Sequence, residues 1–149
     1  MQGLIDEVSR HVLRIQMRVF ACRERLRAGT DDEALHDLRI ALRQLRSLLR
    51  PLSSLAVCED LQQRAAELGR LTGPLRDLEV LLNYLQQQGL DNAAQSRQPR
   101  LQQGYLQLLH SAPLAQLLSA LDDWPQQWRQ AASSGQLRGL HKLIRQRLG

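Results

Sequence analysis

His36, Arg39, Arg43, Arg46 and Arg50 recur at steps of three and four residues. At about 100° per residue of an α-helix, all five fall in one narrow stripe. The chemistry open to such a stripe is anion binding, because the guanidinium is a permanently charged planar fork that meets oxyanions two oxygens at a time. No acidic residue falls inside the stripe. Like charges on successive turns repel one another, so the arrangement asks for an anion as its neighbour. The plainer reading is a solvated helix face, but such faces normally mix Lys, Glu and Arg into pairs of opposite sign. His36 reads as one more donor of the stripe, against the bland alternative of a histidine bonded to a nearby backbone or carboxylate group. At about 1.5 Å per residue, the rail runs on the order of 20 Å, longer than one small anion needs.

The element that must carry this rail is a helix with a second, apolar stripe of Leu38, Leu42, Leu45 and Leu49, turned away from the first. Thr30 and Glu33 have the spacing of a capping box, Asp31 and Asp32 suit the positive end of the helix dipole, and Gly29 can stop the helix before it. Pro51 disfavours helical geometry at Arg50, which predicts an end or kink there. From about Gly3 to Ala28, Leu4, Val8, His11, Ile15, Val19, Cys22 and Leu26 recur at helical steps and predict a first amphipathic helix. Arg14, Arg18 and Arg25 lie on its other positions. All three are expected to face the side of the rail if the two helices form a hairpin, with Arg14 and Arg18 joining it as ligands.

Further along, the pattern predicts a short connection over Ser53–Glu59, a third helix from about Cys58 to Leu71, and a break at Thr72-Gly73-Pro74. Pro74 then suits the first turn of a fourth helix, Leu75–Gln88, stopped by Gly89. Asp91–Arg100 is polar, aperiodic and contains Pro99, so it reads as a mobile loop. Helical periodicity resumes at Leu101 and reaches Trp124, interrupted by Pro113. Ala131–Gln136 reads as a linker before a last amphipathic piece, Leu137–Leu148.

The 149 residues are enough for a single domain with a sizeable core, and 43% hydrophobic content with only 3% aromatic residues favours an all-α bundle. Net charge is +5 and Lys142 is the single lysine, which points to an acidic partner. Cys22 and Cys58 lack CxxC spacing, so neither a disulfide framework nor a zinc site is indicated and a reduced, cytoplasmic setting is expected. No motif asks for a cofactor. The first residues lack a signal-peptide core, and no run is long and apolar enough for a membrane span.

Two blocks carry a family resemblance. Residues 33–46, Glu-Ala-Leu-His-Asp-Leu-Arg-Ile-Ala-Leu-Arg-Gln-Leu-Arg, resemble the His-x-x-Arg-Val-x-x-Arg-Arg-x-Arg helix of the CHAD (conserved histidine α-helical domain) family. Residues 68–81 resemble its Leu-Gly-x-x-Arg-Asp-x-Asp-Val segment, through Leu68, Gly69, Arg76, Asp77 and Val80. The resemblance implies an antiparallel helical-hairpin bundle with a basic groove that binds inorganic polyphosphate without catalysis. It also implies an association with polyphosphate granules or with enzymes that process polyphosphate or triphosphate. Carried over by position, His36, Arg39, Arg43, Arg46 and Arg76 become phosphate ligands, with Arg70 beside them, and Asp77 orients a neighbouring arginine. Gln44 and Glu79 depart from the pattern. The family domain has two related helical halves, and this chain stops near the start of the second. It therefore reads either as a short member completed by a second copy in a homodimer or as a fragment.

Three other readings stand beside this one. His11, His36, Asp37 and Asp77 give the bare residue order of metal-dependent HD phosphohydrolases, but adjacent helical residues diverge by about 100° and the arginine stripe is then left unexplained. Non-specific nucleic-acid binding would use the same arginines. Yet base readers need base contacts or aromatic stacking platforms, and Phe20, Tyr84, Tyr105, Trp124 and Trp128 do not interleave with the stripe. The third is an interaction bundle whose basic face docks an acidic protein.

Overall fold

The computed structural model describes residues 2–140 and Lys142. Within them the chain forms α1 (Gln2–Ala28), α2 (Ala34–Leu49), a 3-10 turn (Arg50–Leu52), α3 (Ala56–Gln87), α4 (Asp91–Leu109) and α5 (Ala112–Ser133), with no strand among the described residues. This is the all-α bundle that the composition predicts. Cross-helix bonds fix the directions. Arg18 reaches Gln44 while Arg25 reaches Asp37, so α1 and α2 run antiparallel. Arg39 reaches Thr72 while Ser53 reaches Gln62, which sets α2 against α3 in the same way. Behind them α5 closes on α1 through Gln16–Asp122 and Ile5–Trp128.

The apolar stripe of α2 is buried as expected: Leu38, Leu42, Leu45 and Leu49 are each at most 2% exposed. On α1 the buried stripe is Ile5, Val8, Val12, Ile15, Val19, Cys22 and Leu26. His11 is not part of it. Val12 takes the inward position, and His11 stands exposed with Nε2 3.8 Å from Glu7. Both thiols are free and buried, and burial pushes Cys58 up to about 12, which keeps it an unreactive core residue.

The α1–α2 corner is held by aspartate rather than by the expected capping box. Gly29 takes φ +64° and donates to Arg25 O at 2.9 Å, ending α1. Asp31 Oδ1 then accepts the Glu33 N–H at 2.9 Å, and no side chain caps α2 from Glu33 itself. Arg25 grips both Asp31 oxygens and, through Nη1, Asp37 at 2.8 Å. Hydrogen bonding from Arg25, helped by the Glu33 N–H, holds the Asp31 carboxyl at about 2 instead of the usual 3.8. A carboxyl that is more acidic folded than unfolded stabilises the fold fully above its ordinary value and loses that contribution as pH falls toward its folded value. Asp31→Asn is therefore expected to lower the thermal midpoint at neutral pH, with the gap to the unsubstituted protein closing between pH 3.8 and about 2. A gap that stays constant through that range would show that the carboxylate charge contributes nothing.

Four sequence expectations fail at prolines or weakly apolar stretches. The predicted break at Thr72-Gly73-Pro74 is absent, and α3 runs unbroken through Pro74. An interior proline removes one helix bond and costs about 3 kcal/mol. Part of its penalty is a clash with the preceding residue's Cβ, which Gly73 does not have. Burial of Leu68, Leu78 and Leu82 on either side offsets the remainder. The predicted mobile loop over Asp91–Arg100 is the first half of α4, because Ala94 and Leu101 pack against Leu78 and Leu82 of α3. Pro113 starts α5 instead of interrupting a helix, with Ser111 as N-cap accepting from Leu114 N–H. The linker expected over residues 131–136 begins late, since α5 continues through Pro125 to Ser133 and Gly135 (φ +81°) sits in the turn that follows. The predicted last helix, Leu137–Leu148, lies mostly outside the described residues.

Candidate anion-binding groove

Between α2 and α3 runs a groove of about 490 Å³, lined by Arg39, Leu42, Arg43 and Arg46 from α2 and by Ala65, Ala66, Gly69, Arg70 and Gly73 from α3. Helical periodicity builds each wall. On α2, the i, i+4, i+7 positions bring Arg39, Arg43 and Arg46 to the side facing α3, while Leu42 fills the space beneath them. On α3, residues 65, 69 and 73 share one face, and all are alanine or glycine. That face stays low, so the opposite row of guanidinium groups overhangs it. Arg39 lies directly above Gly73, where an added Cβ would come within 3.7 Å of its Nη1.

Among the described residues, four arginines line this groove and no carboxylate does. In three other depressions the arginines have acidic neighbours. In the depression between α1 and α2, Arg25 pairs with Asp37 and Arg18 donates to Gln44. Another sets Arg27 beside Asp31 and Asp32, and a third sets Arg76 beside Asp32, Glu33 and Glu79. Within the groove, Arg39 Nη1 donates to Gly69 O and to Thr72 Oγ1, each at 2.8 Å. Two of its five N–H groups are committed to the fold, and those on Nε and Nη2 remain. Arg46 Nε is shut off from solvent with no acceptor. A buried donor without a partner costs about 1–3 kcal/mol, a cost that an oxygen-rich ligand relieves when the side chain turns to meet it.

The structure thus brings together Arg39, Arg43, Arg46 and Arg70 and separates the other residues singled out in the sequence. His36, half-buried, precedes Arg39 by one turn, and Arg50 stands exposed in the 3-10 turn after α2. Both extend the rail beyond the groove's lining. Arg18 donates to Gln44 at 2.6 Å on the flank toward α1, and Arg14 lies exposed on the same helix. Arg76 does not face the groove. Its Nη1 pairs at 3.1 Å with Glu79, which is 8% exposed and also accepts from the Tyr105 hydroxyl. The orienting carboxylate is therefore Glu79, not Asp77. Burial and the Glu79 carboxylate both push the Tyr105 hydroxyl up, so it stays protonated as the donor. Sequence reasoning missed this triad, whose visible signals were the i,i+3 spacing of Arg76 and Glu79 and an acidic residue in phase with Leu75 and Leu82.

Asp37 is engaged by Arg25 and points away from His36, so the His-Asp doublet does not converge. Among the described residues no group of three His, Cys, Asp or Glu side chains is placed to hold a metal ion, and no helix is long and apolar enough to cross a membrane. Trp124 and Trp128 are buried and stacked on each other, with centroids 4.9 Å apart. Phe20 lies under Arg23, so neither pair offers a free stacking platform at the groove. Neither the curated proteins nor the solved structures give a match. The family model described as CHAD domain matches residues 11–149, a span that includes α2, α3 and both motif blocks. The chain belongs to the CHAD domain family.

Proposed function

We propose that this chain binds inorganic polyphosphate along the α2–α3 groove and does so as a binding module rather than an enzyme. The observation that carries the reading is the convergence of Arg39, Arg43, Arg46 and Arg70 on one groove whose lining, among the described residues, includes no carboxylate. Polyphosphate and triphosphate are the ligands with which the CHAD family is associated, and a linear chain of phosphates asks for a row of forked donors and for nothing else. His36 and Arg50 lengthen the row at its two ends. Arg14 and Arg18 add to the positive field from α1, whereas Arg76 supports α3 through Glu79. A second copy of the chain or an enzyme that processes the bound polymer would meet it at the exposed side of the rail. Polyphosphate granules are the cellular setting that such a ligand implies.

A competition titration at physiological salt tests the reading: labelled polyphosphate is displaced by unlabelled polyphosphate of graded lengths, by duplex DNA and by single-stranded RNA. Polyphosphate is expected to compete best, with affinity rising with chain length until the chain spans the rail, because each added phosphate meets another donor already held nearby. Equal competition by duplex DNA would mean a general polyanion surface, and a length-independent affinity would mean a single-phosphate site.

A further inference from the structure

Arg39 of the positive wall is tied to α3 through two acceptors, the Thr72 hydroxyl and the Gly69 carbonyl. Thr72 is 1% exposed, in the middle of α3. Its Oγ1 donates back to Leu68 O at 2.9 Å, with Gly69 O at 3.1 Å, which aims its lone pairs outward. Arg39 Nη1 donates to that oxygen at 2.8 Å, and to Gly69 O at the same distance. Threonine is suited to this place, because its β-branch restricts χ1 and its hydroxyl can bond the carbonyl one turn back without breaking the helix. A guanidinium held at one nitrogen by two acceptors loses its rotamer freedom before any ligand arrives, and binding then proceeds without that ordering cost.

We propose that Thr72 is a positioning residue of the phosphate site. It touches no ligand. By clamping Nη1 of Arg39 against α3, it presents the Nε and Nη2 edge of that guanidinium to the phosphate chain. The inference rests on the reading of the groove as a polyphosphate site.

The test is a double-mutant cycle on the full chain, with inorganic polyphosphate as the probe at physiological salt and circular dichroism to confirm folding. Thr72→Val keeps the shape and removes the acceptor, and is expected to weaken binding about three- to tenfold. Thr72→Ser keeps the hydroxyl and is expected to restore most of the affinity. In an Arg39→Ala background, Thr72→Val is expected to change nothing further, because the residue it acts through is gone. Thr72→Ala, which cannot overpack the site, repeats the comparison if the valine variant fails to fold. Unchanged affinity in folded Thr72→Val overturns the proposal, and so does an equal loss that persists in the Arg39→Ala background, which would mark a purely structural role. Failure of the groove itself looks different: the unsubstituted chain would not bind, or Arg43→Glu would bind as well as it does.

Discussion

Arg43→Glu is expected to reduce polyphosphate affinity by at least about a hundredfold while leaving the bundle folded. Arg43 occupies the middle of the α2 wall, between Arg39 and Arg46, and it is exposed. A hydrogen bond to a charged partner contributes about 1.5–3 kcal/mol, which is about one to two decades of affinity. Reversal adds repulsion between the new carboxylate and the polyanion, and it gives Arg39 and Arg46 a competing partner within the wall. Stability should hardly change, since exposed substitutions usually stay within about 0.5 kcal/mol. The matched control is Arg129→Glu, which makes the same change of net charge from an exposed position on α5, outside the groove. If the two variants lose affinity equally, binding reads the charge of the whole molecule. If only Arg43→Glu loses it, binding reads the groove.

How far the sequence foretold this site depends on what kind of signal each part left. The rail of α2 was legible because two stripes of opposite character share one helix, and amphipathic periodicity records which side faces the core. That Arg70 would join it was legible only through the family resemblance. The floor of Ala65, Gly69 and Gly73 was not read as part of a site at all, because small residues on a helix carry no charge pattern. Arg76 shows the opposite failure. Its motif position suggested a ligand, but the deciding facts are an i,i+3 pair with Glu79 on α3 and the cross-helix bond from Tyr105 that holds Glu79, the second of which no local spacing encodes. The prolines misled for a related reason. Pro74 and Pro99 each carry a local penalty that reads as a break, whereas the burial that outweighs it comes from α3 and α4 packing on each other. His11 was misplaced by one residue, a shift that turns a helical side chain by about 100° and moves it from core to solvent.

Trp128→Ala is expected to cost about 3–5 kcal/mol, the range for removing a large buried aromatic side chain. Trp128 is fully buried, stacks on Trp124 at an interplanar angle of 18°, and donates from Nε1 to Ile5 O at 3.1 Å. One side chain thus joins α5 to the first turns of α1, and its loss leaves a cavity, one hydrogen bond fewer at the Ile5 carbonyl and a stack of one. Against a total stability of about 5–15 kcal/mol, that is enough to populate the unfolded chain. Urea unfolding followed by circular dichroism measures it, and a shift equivalent to less than about 1 kcal/mol would show that α5 is not integral to the bundle. Trp128→Phe separates the terms, since it keeps most of the volume and removes mainly the Nε1 hydrogen bond to Ile5 O, about 0.5–1.5 kcal/mol. The effect on ligand binding distinguishes this variant from Arg43→Glu. Trp128 lies behind α3, away from the arginines, so its loss lowers affinity only by the fraction of chains that are unfolded. Excess polyphosphate binds the folded form and draws the equilibrium back by mass action. Binding by Trp128→Ala is therefore expected to recover as polyphosphate concentration rises, with helical content recovering alongside it, whereas Arg43→Glu fills only at the higher concentrations its lowered affinity demands and its helical content does not change.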